Sequence, residues 1–339
     1  MEGDDSRHES PSGRCEDMCP KDEIVERLKW DDFHHLEKGP LPSTSIHWED
    51  ARLEGVDLLA CKKFKRNIEA IDRSPERLRT LRCLVRTTAH LVSLLDMAGV
   101  DFEDAHKLLW DRFRAIRTDL QIQRLVGAGA AVAIYEQHVR YHICCSYELC
   151  ERKADLSNPH GFDPHLNSQQ LHKSLQTLLQ MYDNCASKRD NEAEFVGYDL
   201  LIGADAFKLM HMRRKRVLLR SRPVVFALKV RSAADQGNYA KFLSLFREAS
   251  YLEACLMHMT GLRRSVLSRA TEVMRSKVFR SRSPYPFEDA RLALGQAAAS
   301  LLVCEDWEAV ARKIEGETLC EAISSKKEAT FSAVVNGRP

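Results

Sequence analysis

Apolar residues recur along this chain at the spacing of an α-helix in one segment after another, and almost nowhere in the strict alternation of a strand. A chain of amphipathic segments, each roughly 10 to 25 residues long and joined by short polar links, can bury its apolar stripes only by packing helix on helix. With no parallel-sheet signal, the pattern favours stacked antiparallel pairs as in helical solenoids, although no fixed-period repeat is visible. From Asp22 to Leu36 the stripe is Ile24, Val25, Leu28, Phe33 and Leu36, and Gly39-Pro40-Leu41-Pro42 predicts its stop. Ser74-Pro75 predicts the start of the next clear helix, with a hydroxyl to cap an amide and a proline whose missing donor is not needed there. Its stripe runs through Leu78, Leu81, Leu84, Val85, Ala89, Val92 and Leu95 and ends before Gly99. Asp101 is placed to cap a helix carrying Phe102, Ala105, Leu108, Leu109, Phe113, Ile116 and Leu120.

Another amphipathic run spans Ala130 to Glu151. After a loop with Pro159, Gly161 and Pro164, Asn167 and Gln170 stand three apart like a capping box, predicting a helix from there to about Asp183. Helical segments are further expected at 190 to 205, 206 to 219, 223 to 234, 237 to 247 and 249 to 279. Residues 1 to 13, polar and rich in Ser, Gly and acids, read as a disordered tail. The link Ser281 to Pro286 reads as the boundary between a helical-repeat domain, 14 to 283, and a small C-terminal unit, 284 to 339. In that unit two helices, an acidic turn and a third helix, Trp307 to Ile314, precede Thr318 to Ile323 and Ala329 to Val335. The last two read as a strand pair, which gives a winged-helix outline.

The 339 residues, 44% hydrophobic and 29% charged, suffice for a sizeable core. No stretch approaches the ~20 apolar residues that cross a bilayer, and the first thirty residues carry no apolar signal region, so neither membrane nor secretion is expected. The 11 cysteines are an odd number scattered through helical patterns, which predicts reduced thiols used as small core residues. Cys15 and Cys19, with His34 and His35 nearby, lack the second pair that a zinc site requires, and packing of the opening segment is the alternative. His138 and His142 share a helix face without the glutamate that a zinc hydrolase helix offers. With no phosphate loop, nucleophile elbow or catalytic dyad, neither enzyme activity, metal nor cofactor is expected.

The formal net charge of +2 conceals a split: Asp205 to Ser283 holds 18 Lys and Arg against 5 Asp and Glu, a local excess of +13, so the remainder carries −11. Arg213, Arg214, Lys215 and Arg216, with Arg220 and Arg222, form one basic cluster; Arg263, Arg264, Arg269, Arg275, Lys277, Arg280 and Arg282 form another. Both read as phosphate-contacting surfaces that bind RNA or DNA without base specificity, the alternative being a solvated helix face. Arg213 to Arg216 also has the composition of a nuclear-import signal. Leu108, Phe113, Tyr135, Phe195, Phe242 and Tyr251 are assigned to the core, whereas Trp307, Val310 and Ile314 form a stripe available to a protein partner.

Several segments resemble, in order, the helical domain of the Sac/GANP (suppressor-of-actin / germinal-centre-associated nuclear protein) family, over roughly residues 13 to 310. They are Gly13-Arg14-Cys15-Glu16-Asp17-Met18-Cys19-Pro20, similar to an opening Cys-Pro-Asp-Met-Cys-Pro with Glu16 in place of the proline, then Asp111 to Leu120 and Tyr135 to His142. Asn167 to Tyr182, Glu192-Ala193-Glu194-Phe195, Asn238 to Phe242 and Tyr251 to Cys255 complete the likeness, which is nearest to the short plant paralogues. The resemblance implies a PCI-like helical-repeat array closed by a winged helix, acting as a non-catalytic scaffold in transcription-coupled mRNA export. It implies as partners a PCI-domain protein, a small acidic Sem/Dss-type subunit and nucleic acid. It also implies a nuclear location, with indirect association at the nuclear pore because the chain has no Phe-Gly dipeptide. A centrosome or spindle scaffold, in cytoplasm or at the centrosome, and a proteasome-lid-like or splicing-associated PCI subunit are the alternatives the same resemblance allows.

Overall fold

A computed structural model describes residues 11–38, 59–67, 73–150, 152, 161–184, 190–203, 216–259, 326–327 and 330–337. Its regular elements among these residues are helices: α1 (Lys21–Lys29), α2 (Leu81–Ser93), α3 (Phe102–Ile122), α4 (Gly129–Glu148), α5 (Pro164–Asn184), α6 (Glu192–Ile202), α7 (Arg216–Leu219), α8 (Arg222–Asp235), α9 (Tyr239–Glu248), α10 (Tyr251–Met259) and α11 (Phe331–Val335). One isolated bridge, parallel, joins Cys15 to Arg79. The all-helical class is therefore as the periodicity predicts. None of the described helices is long and apolar enough to cross a membrane.

The chain divides into two compact units. The first takes in α1 to α3, residues of α4 up to Val139, residues of α5 from Gln176, and α11. Here α2 packs on α3 and α11 packs on α2, around a core that includes Leu84, Leu91, Leu109, Phe113, Ile116, Tyr135 and Tyr182. The second takes in the rest of α4 and α5 with α6 to α10. There α6 packs closely on α8, α9 also packs on α8, and α10 packs on α6. The close α6–α8 approach has a local cause: a Cβ at Gly197 would stand 3.0 Å from the Pro223 carbonyl oxygen, so any side chain there would press the two backbones apart.

Several boundaries differ from the sequence expectation. The helix expected over 22–36 ends at Lys29, and Asp31 turns left-handed (φ 46°) before a short 3-10 turn, His35–Glu37. The break carries the Glu37 carboxylate back to Arg27 inside the unit. The helix expected from Ser74-Pro75 begins instead at Leu81, capped by Thr80, whose hydroxyl accepts the Cys83 N–H at 3.2 Å. The intervening backbone is occupied: Cys15 N–H donates to Leu78 O (3.0 Å) and Thr80 N–H to Cys15 O (2.9 Å). The opening segment thus takes groups that a helix would need for itself.

The α5 cap is Asp163, whose carboxylate accepts the N–H groups of His165 (2.8 Å) and Leu166 (3.0 Å). Asn167 is instead buried, its Oδ1 accepting from His142 Nδ1 at 2.8 Å and its Nδ2 donating to the His142 carbonyl at 2.9 Å and Ser146 Oγ at 2.6 Å. The segment expected as a strand over 329–335 is corrected by α11, which is helical from Phe331 with Thr330 as its cap. Thr330, Val334 and Val335 have strand propensity, but two backbone N–H groups find a remote carboxylate, Asp96, and that decides for the helix. Its proposed partner strand, 318–323, and the winged-helix residues 284–325 lie outside the described residues.

Candidate functional site

The polar residues of the segments singled out above are mostly buried and paired. Glu37 accepts from two guanidiniums at once, Arg27 Nη2 at 2.5 Å and Arg112 Nη2 at 2.8 Å, and also from the Cys61 N–H at 2.9 Å. Burial pushes its carboxyl upward, but the charge and hydrogen bonds of Arg112, and then those of Arg27, outweigh burial and hold it below the usual carboxylate range. A second cluster lies on Asp119, which accepts from Arg79 Nε at 2.7 Å and Lys62 Nζ at 2.8 Å. Gln123, one turn on, accepts the Gly13 N–H at 2.8 Å and donates to the Arg79 carbonyl at 2.9 Å. A Cβ at Gly13 would sit 2.5 Å from the Leu78 carbonyl oxygen, which explains why the opening motif has glycine there. Tyr182 donates to Glu136 at 2.5 Å, and the His138 ring stacks on Phe113 with centroids 4.1 Å apart.

The second unit repeats this chemistry with its own residues. Arg140 makes a bidentate pair with Glu194, 2.7 and 2.8 Å, and lies over the Phe195 ring. Tyr251 donates to Glu148 at 2.5 Å. Ser250 and Glu253 form a capping box for α10: the carboxylate accepts the Ser250 N–H at 2.7 Å and the Ser250 hydroxyl accepts the Glu253 N–H at 3.4 Å. The same carboxylate accepts from Arg222 Nη1 at 2.6 Å. Arg222, grouped by sequence with the basic cluster, is thus drawn into a structural pair.

The thiols fit core duty. Burial pushes Cys15 and Cys19 up, and Cys15 Sγ donates to the Asp17 carbonyl. His34 is engaged in capping the turn at His35–Glu37 through Nδ1. Among the described residues no group of three His, Cys, Asp or Glu side chains is placed to hold a metal. Leu108, Phe113, Tyr135, Phe195, Phe242 and Tyr251 are all buried, as expected of core positions.

Arg213, Arg214, Lys215, Arg263, Arg264, Arg269, Arg275, Lys277, Arg280 and Arg282, and the stripe Trp307, Val310 and Ile314, lie outside the described residues; Arg216 opens α7, with its side chain also outside them. Within the described part of the basic tract, where Arg220 and Arg222 are exposed, a groove of about 360 Å³ lies between α8 and α9. It is lined by Val225, Leu228, Lys229, Ser232, Ala233, Gln236, Asn238 and Lys241. Lys229 and Lys241 are exposed at its edge. Their position was not singled out in the sequence, because two lysines twelve residues apart on different helices form no local cluster.

The match to known proteins covers these same elements. The profile of the SAC3/GANP family aligns with residues 18–303. SAC3 family protein B of Arabidopsis thaliana is 36% identical over 267 residues, 74% of this chain and 15% of the relative. Protein xmas of Drosophila melanogaster is 31% identical over 287 residues, 78% of this chain and 13% of the relative. SAC3 family protein 1 of Schizosaccharomyces pombe is 26% identical over 318 residues, 83% of this chain and 28% of the relative. The chain therefore spans less than a third of the length of the curated relatives it matches. The aligned region holds the Asp111 to Leu120 and Tyr135 to His142 segments, whose charged side chains build both buried networks. By that profile and these shared elements, the chain belongs to the SAC3/GANP family.

Proposed function

We propose that this chain is a non-catalytic scaffold of a nuclear, transcription-coupled mRNA export complex, binding a PCI-domain partner, a small acidic Sem/Dss-type subunit and, without sequence specificity, nucleic acid. The observation that carries the reading is the family match over residues 18–303. The site chemistry agrees with it. The ionisable residues of the family-like segments, Arg112, Asp119, Glu136, Arg140 and Glu194 among them, are engaged with other protein groups and serve to hold the helices in place. Of the basic tract, Lys229 and Lys241 are exposed and flank a groove, where their ammonium groups could meet a phosphate backbone.

On this reading the array over 14 to 283 is PCI-like and 284 to 339 supplies the winged helix. Trp307, Val310 and Ile314 then meet the PCI partner, and Arg213 to Arg216 serve nuclear import. Association with the nuclear pore is indirect. Affinity purification of the tagged chain from nuclear extract, with and without nuclease, followed by mass spectrometry, tests it. A PCI subunit and the small acidic protein are expected to survive nuclease treatment. Recovery of centrosomal or spindle proteins in their place would overturn the export assignment.

A further inference from the structure

A helix of five residues has no stability of its own, since isolated helices below roughly 12 to 15 residues are marginal in water. Yet α11 (Phe331–Val335) is fully formed, and every feature that forms it comes from the surface beneath it or from its own ends. Asp96, just past α2, accepts the Phe331 and Ser332 N–H groups at 2.7 Å each, and Thr330 Oγ1 accepts the Ala333 N–H at 3.4 Å. The first-turn donors are thereby satisfied mainly by a receptor carboxylate. The Phe331 ring meets Phe102 with centroids 4.5 Å apart, Val335 is completely buried, and Gln137 Nε2 donates to Asn336 Oδ1 at 2.6 Å. Gly337, left-handed at φ 68°, closes the motif, its N–H donating to the Val334 carbonyl. All of these groups belong to the first unit.

A short segment with two apolar anchors four residues apart, capped by a remote carboxylate and closed by Asn-Gly, has the chemistry of a peptide ligand seated in a helix-binding groove. We propose that the surface bounded by Asp96, Phe102 and Gln137 is a docking site for short Thr-Phe-x-x-x-Val segments, and that Thr330–Gly337 of this chain is its resident, displaceable occupant. The reading explains why a carboxylate stands at the end of α2, where helix polarity favours cations: its partner is the N-terminus of a second helix. It also gives Ser332 a regulatory position, because added negative charge there faces Asp96 and ejects the segment by like-charge repulsion.

The test uses the full chain and a fluorescent peptide of residues 326–339. A tethered ligand competes at an effective concentration on the order of millimolar, so the free peptide binds measurably only when the resident segment is weakened. Anisotropy is expected to show the peptide binding Val335→Asp chain at least ten-fold more tightly than wild type, with Asp96→Ala in the same background reversing the gain. Phe331→Ala replaces Val335→Asp if circular dichroism shows that variant unfolded. Independently of any variant, hydrogen exchange in the wild-type chain is expected to protect the Phe331 and Ser332 amides. Exchange there at free-peptide rates, equal peptide affinity for wild-type and weakened chains, or binding indifferent to Asp96→Ala each overturns the proposal.

Discussion

At Glu37 one carboxylate faces two buried guanidiniums and a buried backbone N–H, with no solvent to share the load. Such a centre stabilises little relative to an apolar replacement of the whole cluster, but removing one partner strands the others in low dielectric. Glu37→Ala leaves buried Arg27 without its carboxylate and Arg112 with Asp111 as its remaining one. It is expected to lower stability by about 3–5 kcal/mol, read as a drop in the urea midpoint. The pH dependence has a definite sign. The folded carboxyl lies below its unfolded value because Arg112 and Arg27 overcome the upward push of burial. Its contribution is therefore complete above the unfolded value, about 4.3, and is lost as pH falls through the depressed folded value. The wild type should lose stability on that limb faster than Glu37→Ala, which has already lost the term. A variant with wild-type midpoint at pH 7 would show that the two arginines find solvent without Glu37.

The elements that periodicity marks most clearly, α3 with its Asp101 cap and the two long helices α4 and α5, form close to where the apolar stripes place them. Misplacements occur where a distant group competes for local backbone. Ser74-Pro75 has the chemistry of a helix start, yet Cys15 takes the backbone of Leu78 and Thr80 and delays α2 to Leu81. Val334 and Val335 look like a strand until Asp96, more than 230 residues earlier, caps the segment. The candidate site follows the same logic: the basic tract is visible as composition, but the Glu37 and Asp119 clusters join residues 10 to 75 apart, and no local pattern announces them. Gly197 is equally silent in sequence. Its lack of a side chain sets the α6–α8 distance against a backbone carbonyl, which cannot swing aside as a flexible side chain would. Gly197→Ala gains helix propensity of nearly 1 kcal/mol but forces this contact, and overpacking of a tight core costs about 1–3 kcal/mol. A net loss in thermal stability is expected; a net gain would mean the two helices separate freely.

On the scale of the whole chain, charge is divided more sharply than the net value of +2 suggests, with +13 concentrated in 205 to 283 and −11 elsewhere. If residues 205 to 283 present that excess on one surface, a polyanion is drawn to it and orientation is set before contact. The described part of that region offers the exposed Lys229 and Lys241 beside Ser232, Gln236 and Asn238, cations with no pattern for reading bases. If binding is of this kind, affinity for single-stranded RNA falls linearly on a log–log plot against salt, with a slope of about 0.7 per neutralised phosphate. Reversing Arg263, Arg264 and Arg269 to Glu removes up to three such contacts and is expected to flatten the slope by about 2. Lys229→Glu with Lys241→Glu should flatten it by a further 1 or so if the α8–α9 groove continues the same surface. Both effects should be equal for homopolymer and mixed-sequence RNA, because phosphates carry no sequence. A slope unchanged by the arginine reversals would make the basic tract a solvated face. A loss confined to one RNA sequence would point to base contacts that neither the tract nor the groove provides.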